Sequence, residues 1–304
     1  MMMGILLSQC TKEPNPPNIS DENFLNALIN LGIDTNRDGL ISPEEAEVIT
    51  YLDVSEKNIS DMEGIEEFVN LDTLICYSNQ LTSLNITNNT ELEFLDFSDN
   101  QLIFLDVSKN TKLIHLVGYG NKLKYVDLSN NTVLQTLNFW GNQLVSLDVS
   151  NNTLLTSLDC WGNNLTDLEI TNNTALTYLD CGYNQLTMLD VSNNIALNWL
   201  GCCPDQLTTL DVSENTSLEY LFCFNNQLSG LDVSNNNALI RLDCSQNQIS
   251  TLDISQNTAL ELLYLMNMPS LNQVCVWTLP FPPSGLTIDT TGSSNVFFTD
   301  SCGK

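Results

Sequence analysis

The sequence is poor in histidine and in positive charge. Its 304 residues include one histidine, His115, and 9 Lys and Arg against 37 Asp and Glu, so the formal net charge is -28. A single histidine excludes most Ser/His/Asp, Cys/His and His-rich metal mechanisms. The shortage of clustered cations also excludes nucleic acid as a partner, because binding to phosphates requires cations that displace counterions.

Long apolar runs are scarce as well. After the first residues, no stretch approaches the roughly 18 apolar residues of a membrane span. The opening MMMGILLSQCTKEPNPPN places an apolar run before Cys10 and a Pro- and Asn-rich tail. It resembles the end of a bacterial lipoprotein signal, which implies that the chain is cleaved before Cys10 and acylated there; a plain secretory leader is the alternative. We therefore expect membrane attachment only through a lipid at Cys10.

Residues 34–45, DTNRDGLISPEE, carry oxygen atoms at the spacing of a calcium loop. Gly39 stands at the sixth position, where the loop turns sharply, and the pattern is a full match to an EF-hand loop. The predicted ligands are Asp34, Asn36, Asp38, the Leu40 carbonyl, Ser42 and Glu45. Because there is only one such loop, a structural calcium clamp is favoured over a paired sensor; an acidic turn that binds nothing is the alternative.

The segments on both sides of this loop have helical patterns. In the second, SPEEAEVITYL, Ser42 is the predicted N-cap and Pro43 lies in the first turn. In the first, ENFLNALINLGI, one helical face collects Phe24, Leu25, Leu28, Ile29 and Leu31.

A repeated unit fills most of the remaining chain in about ten copies, and its columns recur at multiples of 21. Its leucine column comprises Leu74, Leu95, Leu116, Leu137, Leu158, Leu179, Leu200, Leu221, Leu242 and Leu263. Five positions after each leucine, an asparagine column comprises Asn79, Asn100, Asn121, Asn142, Asn163, Asn184, Asn226 and Asn247, with Asp205 as the exception. A fixed period without insertions is typical of a solenoid, whose units stack only on their neighbours.

The unit LxxLxCxxNxLxxLDVSxNTx predicts two strands, one around LxC and a second, further along the unit, around LDV. In the first, Leu74 and Cys76 point inward, and in the second Leu84 and Ile86 do so. Each asparagine of the column is predicted to hydrogen-bond the backbone of its turn.

The pattern resembles leucine-rich repeats, in particular the short bacterial class with LDVS in the second half of each unit. The resemblance implies a β-rich solenoid, a leucine-rich repeat rod with parallel strands stacked once per repeat. It also implies a short helical N-terminal cap and a C-terminal cap closed by a cysteine pair, Cys275 and Cys302. The predicted divisions are a leader and tether at 1–20, a calcium-binding cap at 21–58, the solenoid at 59–271 and the C-terminal cap at 272–304.

The remaining cysteines also follow the repeat. A column at multiples of 21, predicted to be buried, comprises Cys76, Cys160, Cys181, Cys202, Cys223 and Cys244. Cys203 lies outside it and is expected to be an exposed thiol.

Positions that vary between copies are free to carry function. The second strand shows a monotonous acidic column, from Asp106 to Asp253, that we interpret as a source of solubility and turn hydrogen bonds. Outward positions of the first strand instead collect three of the four tryptophans, with aspartates between them. The predicted contact residues are Trp140, Asp159, Trp161, Tyr178, Asp180, Trp199, Tyr220 and Phe222. The alternative is that these aromatic residues occur here only because of their high propensity for β-strands.

Asp159 and Asp180 have the separation of a retaining glycosidase pair, but this spacing comes with any parallel sheet. On an open, wet face we expect nothing to raise either pKa, and we predict no enzyme activity. The leading hypothesis is a monomeric surface lipoprotein of a Gram-negative bacterium, otherwise periplasmic or secreted, that binds a protein or peptide. A carbohydrate-binding module and a passive spacer are the alternatives.

Overall fold

The computed structural model describes residues 18–301, and its largest element is one long parallel sheet of three-residue strands joined by turns. Its twelve strands follow chain order. Each turn of the solenoid, here called a coil, contributes one strand, which pairs with the strand of the next coil. The strands are β1 (Tyr51–Asp53), β2 (Thr73–Ile75), β3 (Phe94–Asp96), β4 (His115–Val117), β5 (Thr136–Asn138), β6 (Ser157–Asp159), β7 (Tyr178–Asp180), β8 (Trp199–Gly201), β9 (Tyr220–Phe222), β10 (Arg241–Asp243), β12 (Leu262–Tyr264) and β14 (Thr287–Asp289). A second sheet of three strands contains β11 (Thr251–Asp253), β13 (Gln273–Cys275) and β15 (Phe297–Thr299).

The leucine column sets the register of the long sheet. Leu158 pairs with Leu179, and the same pairing recurs once per repeat from β2 through β12. Each central leucine is completely buried, and its two neighbours in the strand face outward. Burying one leucine per coil removes apolar surface that no single coil could cover alone. The predicted solenoid of parallel strands is confirmed.

The predicted second strand around LDV is wrong for most coils. Within residues 18–301, the LDV segments in the second half of the repeats pair only at the C-terminal end, where β11 joins β13 and Asp232 forms an isolated bridge with Asp253. Elsewhere the coils are joined on this side by side chains. Asn173, for example, donates from Nδ2 to the carbonyls of Val149 at 3.0 Å and Asn152 at 2.9 Å, both in the preceding coil.

These bridging residues form a second asparagine column, distinct from the predicted one. Its members are Asn89, Asn110, Asn131, Asn152, Asn173, Asn194, Asn215, Asn236 and Asn257, all nearly or completely buried. Their Oδ1 atoms accept no hydrogen bond within the part of the chain that the structure describes. The column therefore joins successive coils through its amide donors, and the LDV backbones need not form a ladder.

The first asparagine column behaves as predicted. Asn142 donates from Nδ2 to the carbonyls of Gly118 at 2.9 Å and Phe139 at 3.1 Å. Its Oδ1 accepts the backbone N–H of Leu123 at 3.0 Å. The side chain thus bonds polar backbone groups of two coils and supplies an acceptor for the buried N–H of Leu123.

The N-terminal cap contains two helices, α1 (Glu22–Asn30) and α2 (Pro43–Glu47). Asp21 caps α1, and Ser42 caps α2 in a reciprocal capping box with Glu45, so the predicted start of α2 is confirmed. The helical pattern in the sequence extends beyond the C-terminal ends of both helices. Leu31 is the exposed C-cap of α1 rather than part of its buried face. Helix α2 ends at Glu47 because the chain then enters β1, whose Leu52 pairs with Leu74.

The C-terminal segment continues the coil: β14 extends the long sheet beside β12, and β13 and β15 extend the second sheet. Cys275 is disulfide-bonded. Its predicted partner, Cys302, lies outside the described residues, as does the predicted lipidation site Cys10, so both assignments stay predictions. No helix within residues 18–301 is long and apolar enough to cross a membrane.

Candidate functional site

The outward side chains of β5 to β9 and of the turns that follow them form one surface, here called the strand face. It contains all eight predicted contact residues, because alternate residues of a strand point to the same side. Trp140 is 42% exposed, whereas Trp161 and Trp199 are half-buried. The predicted placement of three tryptophans on one face is confirmed, and neighbouring aromatic rings cover two of them in part.

Two files of aromatic rings run along the strand face. In the first, the ring centroids of Trp140 and Trp161 are 5.8 Å apart, and Trp161 stacks on Tyr183 at 5.0 Å. In the second, Tyr178 stacks on Trp199 at 4.4 Å, and Trp199 contacts Phe222 at 5.4 Å. Such contacts hold the rings in fixed positions and contribute about 0.5–1.5 kcal/mol per pair beyond area burial.

Tyr183 was missed by the sequence analysis, although it is 59% exposed and extends the first file. The preceding coils read Trp140-Gly141 and Trp161-Gly162, whereas this coil reads Gly182-Tyr183. Tyr183 adopts a left-handed φ of 53°, close to the 67° of Gly162 at the equivalent position. The swapped order was the available signal: the aromatic ring moves by one residue and still reaches the file.

Asp159 and Asp180 lie between the two files on adjacent strands, paired in register. Burial raises the pKa of Asp159 to about 6 and that of Asp180 to about 7. The expectation of an open face that leaves carboxylates unperturbed is therefore wrong. The rings that line both sides exclude water from the carboxylates, which disfavours their charged forms.

Asp205 is a further perturbed carboxylate, at the one break in the first asparagine column. Its Oδ1 accepts the N–H of Leu186 at 3.0 Å, as an asparagine would. Its Oδ2 is buried with no hydrogen-bond partner in the described chain, and burial raises its pKa to about 7. In the other coils, an asparagine at this position donates hydrogen bonds to backbone carbonyls. Asp205 can donate a hydrogen bond only when its carboxyl group is protonated.

The acidic column lies on the side of the solenoid formed by the LDV segments, here called the LDV side. Its aspartates differ from those of the strand face in exposure and in the direction of their pKa shift. Asp148 and Asp190 are exposed, and each accepts the backbone N–H of the serine two residues later at 2.9 Å. Hydrogen bonds from these serines lower the pKa of both aspartates. The interpretation of this column as turn chemistry agrees with these bonds.

The predicted calcium loop makes the tight turn that its pattern requires, and its last predicted ligand, Glu45, accepts hydrogen bonds from within the loop. Gly39 has a left-handed φ of 84°, and Asp34 accepts its N–H at 3.0 Å. Glu45 is only 7% exposed, and its carboxylate accepts five hydrogen bonds, from Thr35, Asn36 and Ser42. The bonds from Ser42 and Thr35 lower the pKa of Glu45 to about 2.

No three His, Cys, Asp or Glu side chains in residues 18–301 are grouped so as to hold a metal ion. Calcium binding by Asp34, Asn36, Asp38, the Leu40 carbonyl, Ser42 and Glu45 stays a prediction.

The cysteine column is buried and unpaired, as predicted. Cys203, expected to be exposed, is only 6% exposed. Gly182 explains the difference, because a Cβ there would lie 2.1 Å from the Cys203 carbonyl oxygen. The chain at Cys203 packs down onto the space that a side chain would fill, and burial raises the pKa of its thiol.

Known proteins share this architecture. The solved functional domain of internalin J from Listeria monocytogenes, which includes a cysteine ladder, is 37% identical to this chain in sequence. The two structures superpose with a TM-score of 0.85, and the match covers 91% of this chain and 60% of that one. An internalin, InlF, from the same species matches 93% of this chain and 96% of its own at 22% identity and a TM-score of 0.66, which shows the fold alone.

In sequence, a curated internalin J of Listeria monocytogenes serotype 4b is 40% identical over 70 residues, which are 23% of this chain and 8% of that protein. The chain thus spans less than two thirds of the length of either internalin J sequence. No protein-family model matches it. The protein has an internalin-like leucine-rich repeat fold.

Proposed function

We propose that the protein is a non-enzymatic surface protein that binds a protein or peptide partner along the strand face. The observation that carries this proposal is the pair of aromatic files, which keep large apolar rings in fixed positions on an accessible surface. Exposed aromatic clusters of this kind are typical of contact surfaces, since rigid rings lose little entropy on binding. The internalin-like fold supports the same assignment.

Surface attachment rests on the sequence alone, through the lipid predicted at Cys10. We expect the chain to incorporate labelled fatty acid when it is expressed with its leader in a Gram-negative host. Cys10→Ala should abolish the label; a labelled Cys10→Ala chain would contradict the assignment.

A raised pKa in a carboxylate pair also occurs in glycosidases, so hydrolysis needs a direct test. The pair lies on a sheet face between aromatic rings, and we expect no release of reducing sugar from polysaccharides. Release that Asp159→Asn abolishes would overturn the non-enzymatic assignment.

Binding is tested by titrating the purified chain with secreted and cell-surface proteins and, separately, with polysaccharides, while following tryptophan emission. We expect a protein to shift the emission, and Trp161→Ala and Trp199→Ala each to weaken its binding about ten-fold or more. Trp277→Ala, in the C-terminal segment, is the matched control. Binding that survives both strand-face substitutions would refute the proposal, and a response to sugars alone would favour the carbohydrate alternative.

A further inference from the structure

We infer that the strand face receives an arginine side chain of the protein partner, with its guanidinium group between the two aromatic files and against Asp159 and Asp180. This inference rests on the proposed function and specifies the chemistry of the partner.

The geometry of the site provides both flat apolar walls and acceptors. Asp159 and Asp180 are two residues from Trp161 and Tyr178 along their strands, so the carboxylates emerge between the files. At Gly201, an added Cβ would lie 2.7 Å from the Trp199 ring and 2.9 Å from Asp180 Oδ1. The absence of a side chain at Gly201 therefore lets the tryptophan ring and the carboxylate approach the same point.

Each carboxylate keeps one oxygen available. Asp159 Oδ1 accepts the N–H of Trp161 at 3.1 Å, and Asp180 Oδ1 accepts that of Gly182 at 3.2 Å. Within residues 18–301 the Oδ2 atoms of Asp159 and Asp180 accept no hydrogen bond. The ion pair found in this part of the chain joins Lys112 to Glu91, far from the two aspartates. Two adjacent carboxylates with open acceptor sites match the fork of N–H donors of a guanidinium group.

The surrounding charge also selects a cation. Between residues 125 and 240 the sequence contains twelve Asp and Glu and no Lys, Arg or His. Arg241 is on β10, three strands from Asp180, and its guanidinium lies 5.8 Å from the centre of the Tyr220 ring. At about 4.8 Å per strand, it is roughly 14 Å from the carboxylates, which exceeds the screening length at physiological salt.

Arginine fits this site better than a sugar or a lysine. The guanidinium group is planar, stacks on aromatic rings and forms paired bonds with carboxylates, whereas an ammonium group is compact and strongly hydrated. A sugar would satisfy the acceptors but would leave the desolvated negative charge uncompensated.

The site should bind its cation more tightly at high pH. Burial raises the pKa of both aspartates, and a bound cation requires their ionised forms. The other titratable groups around the pair are Tyr178, Asp205, Cys203 and the buried thiols of the cysteine column, and none of them is positive. Affinity should therefore rise as the pH increases from about 5 to about 8.

The experiment uses a blocked peptide with three arginines spaced by serines and its counterpart with citrulline, which is neutral and of the same shape. Binding to the full chain is followed by tryptophan emission and calorimetry at physiological salt. Asp159→Asn/Asp180→Asn removes two charges at the site and keeps a side-chain oxygen to accept the N–H groups of Trp161 and Gly182. The matched control, Asp148→Asn/Asp190→Asn, removes two charges from the LDV side of nearby coils.

We expect the strand-face double variant to lose about ten-fold or more in affinity for the arginine peptide and the control to lose about two-fold or less. The citrulline peptide should bind neither protein. Equal losses in the two variants, or equal binding of citrulline, would overturn the inference. Asp180→Asn alone, expected to give a smaller loss, serves as the second variant if the double variant is poorly folded.

This test is separable from that of the proposed function. If the double variant captures a protein partner unchanged while Trp161→Ala and Trp199→Ala abolish capture, the arginine inference fails and the proposed function stands. If the tryptophan substitutions leave capture unchanged, the proposed function itself fails.

Discussion

The two sides of each coil carry the same residue types in different states. On the strand face, burial between aromatic rings raises the pKa of Asp159 and Asp180. On the LDV side, serine hydrogen bonds lower the pKa of Asp148 and Asp190. The coils are also joined differently, by backbone pairs between strands on one side and by buried asparagine amides on the other. Neighbouring groups, rather than residue type, therefore decide what each column does.

The largest expected effect concerns the asparagine bridges of the LDV side. Asn173→Ala removes the amide that bonds the carbonyls of Val149 and Asn152 across the coils, leaves each carbonyl only its backbone donor, and opens a cavity. It should lower the free energy of unfolding by roughly 2–4 kcal/mol. Urea denaturation followed by circular dichroism measures this. Asn172→Ala, at an exposed neighbour, is the control and should cost less than about 1 kcal/mol. Equal losses would show that the buried column is not what joins the coils.

The cap loop contains a carboxylate that resembles those of the LDV side, since hydrogen bonds lower its pKa. Glu45→Gln replaces an acceptor of five bonds by an amide that also presents donors to them, and should destabilise the protein by roughly 1–3 kcal/mol in the presence of a chelator. Thermal unfolding measures the change, and Glu44→Gln, at an exposed neighbour, is the control.

A calcium titration by calorimetry belongs beside this measurement, because the sequence pattern predicts one site. Heat that both Asp34→Ala and Glu45→Gln abolish would show that Glu45 exchanges its hydrogen-bond partners for calcium, and would contradict a purely structural role for this carboxylate.

Asp205 gives a smaller effect whose sign depends on pH. Its folded-state pKa is raised above the usual value, so its contribution to stability is fully present below about pH 4 and is lost as the pH rises to about 7. Asp205→Asn should therefore be nearly neutral at about pH 4 and stabilise the protein by roughly 1–2 kcal/mol at about pH 8. Urea denaturation at both pH values measures the difference.

The neighbouring coil offers the reverse substitution. Asn184→Asp should destabilise the protein more at about pH 8 than at about pH 4, because Asn184 donates to the carbonyls of Cys160 and Cys181. The absence of pH dependence in both variants would show that solvent reaches this position freely.

The smallest effect is expected in the acidic column. Asp148→Asn keeps the acceptor for the N–H of Ser150, and should change the free energy of unfolding by about 0.5 kcal/mol or less at neutral pH. Its folded pKa is lowered, so what the carboxylate contributes is present above the unfolded pKa and is lost as the pH falls through the folded value. A large loss at neutral pH would assign this column a role beyond its turns.

Sequence reasoning recovered the strand face because the fixed period of the repeat determines which side chains share a side. It missed Tyr183, which departs from the aromatic column by one residue, and it placed Cys203 at the surface. It also assumed that outward carboxylates are fully hydrated, because a linear pattern gives no measure of how closely rings in neighbouring coils approach one another.

The sequence by itself determined the coil: leucine spacing sets the register, and the asparagine columns supply the hydrogen bonds that a tight coil needs. Only the tertiary structure decided how successive coils meet. In the structure, asparagine side chains bridge most coils where second strands were predicted. Glu45 accepts hydrogen bonds from its own loop, and Asp159 and Asp180 lie between aromatic rings. These outcomes depend on distances between residues one full repeat apart, where packing and desolvation act and local propensity does not.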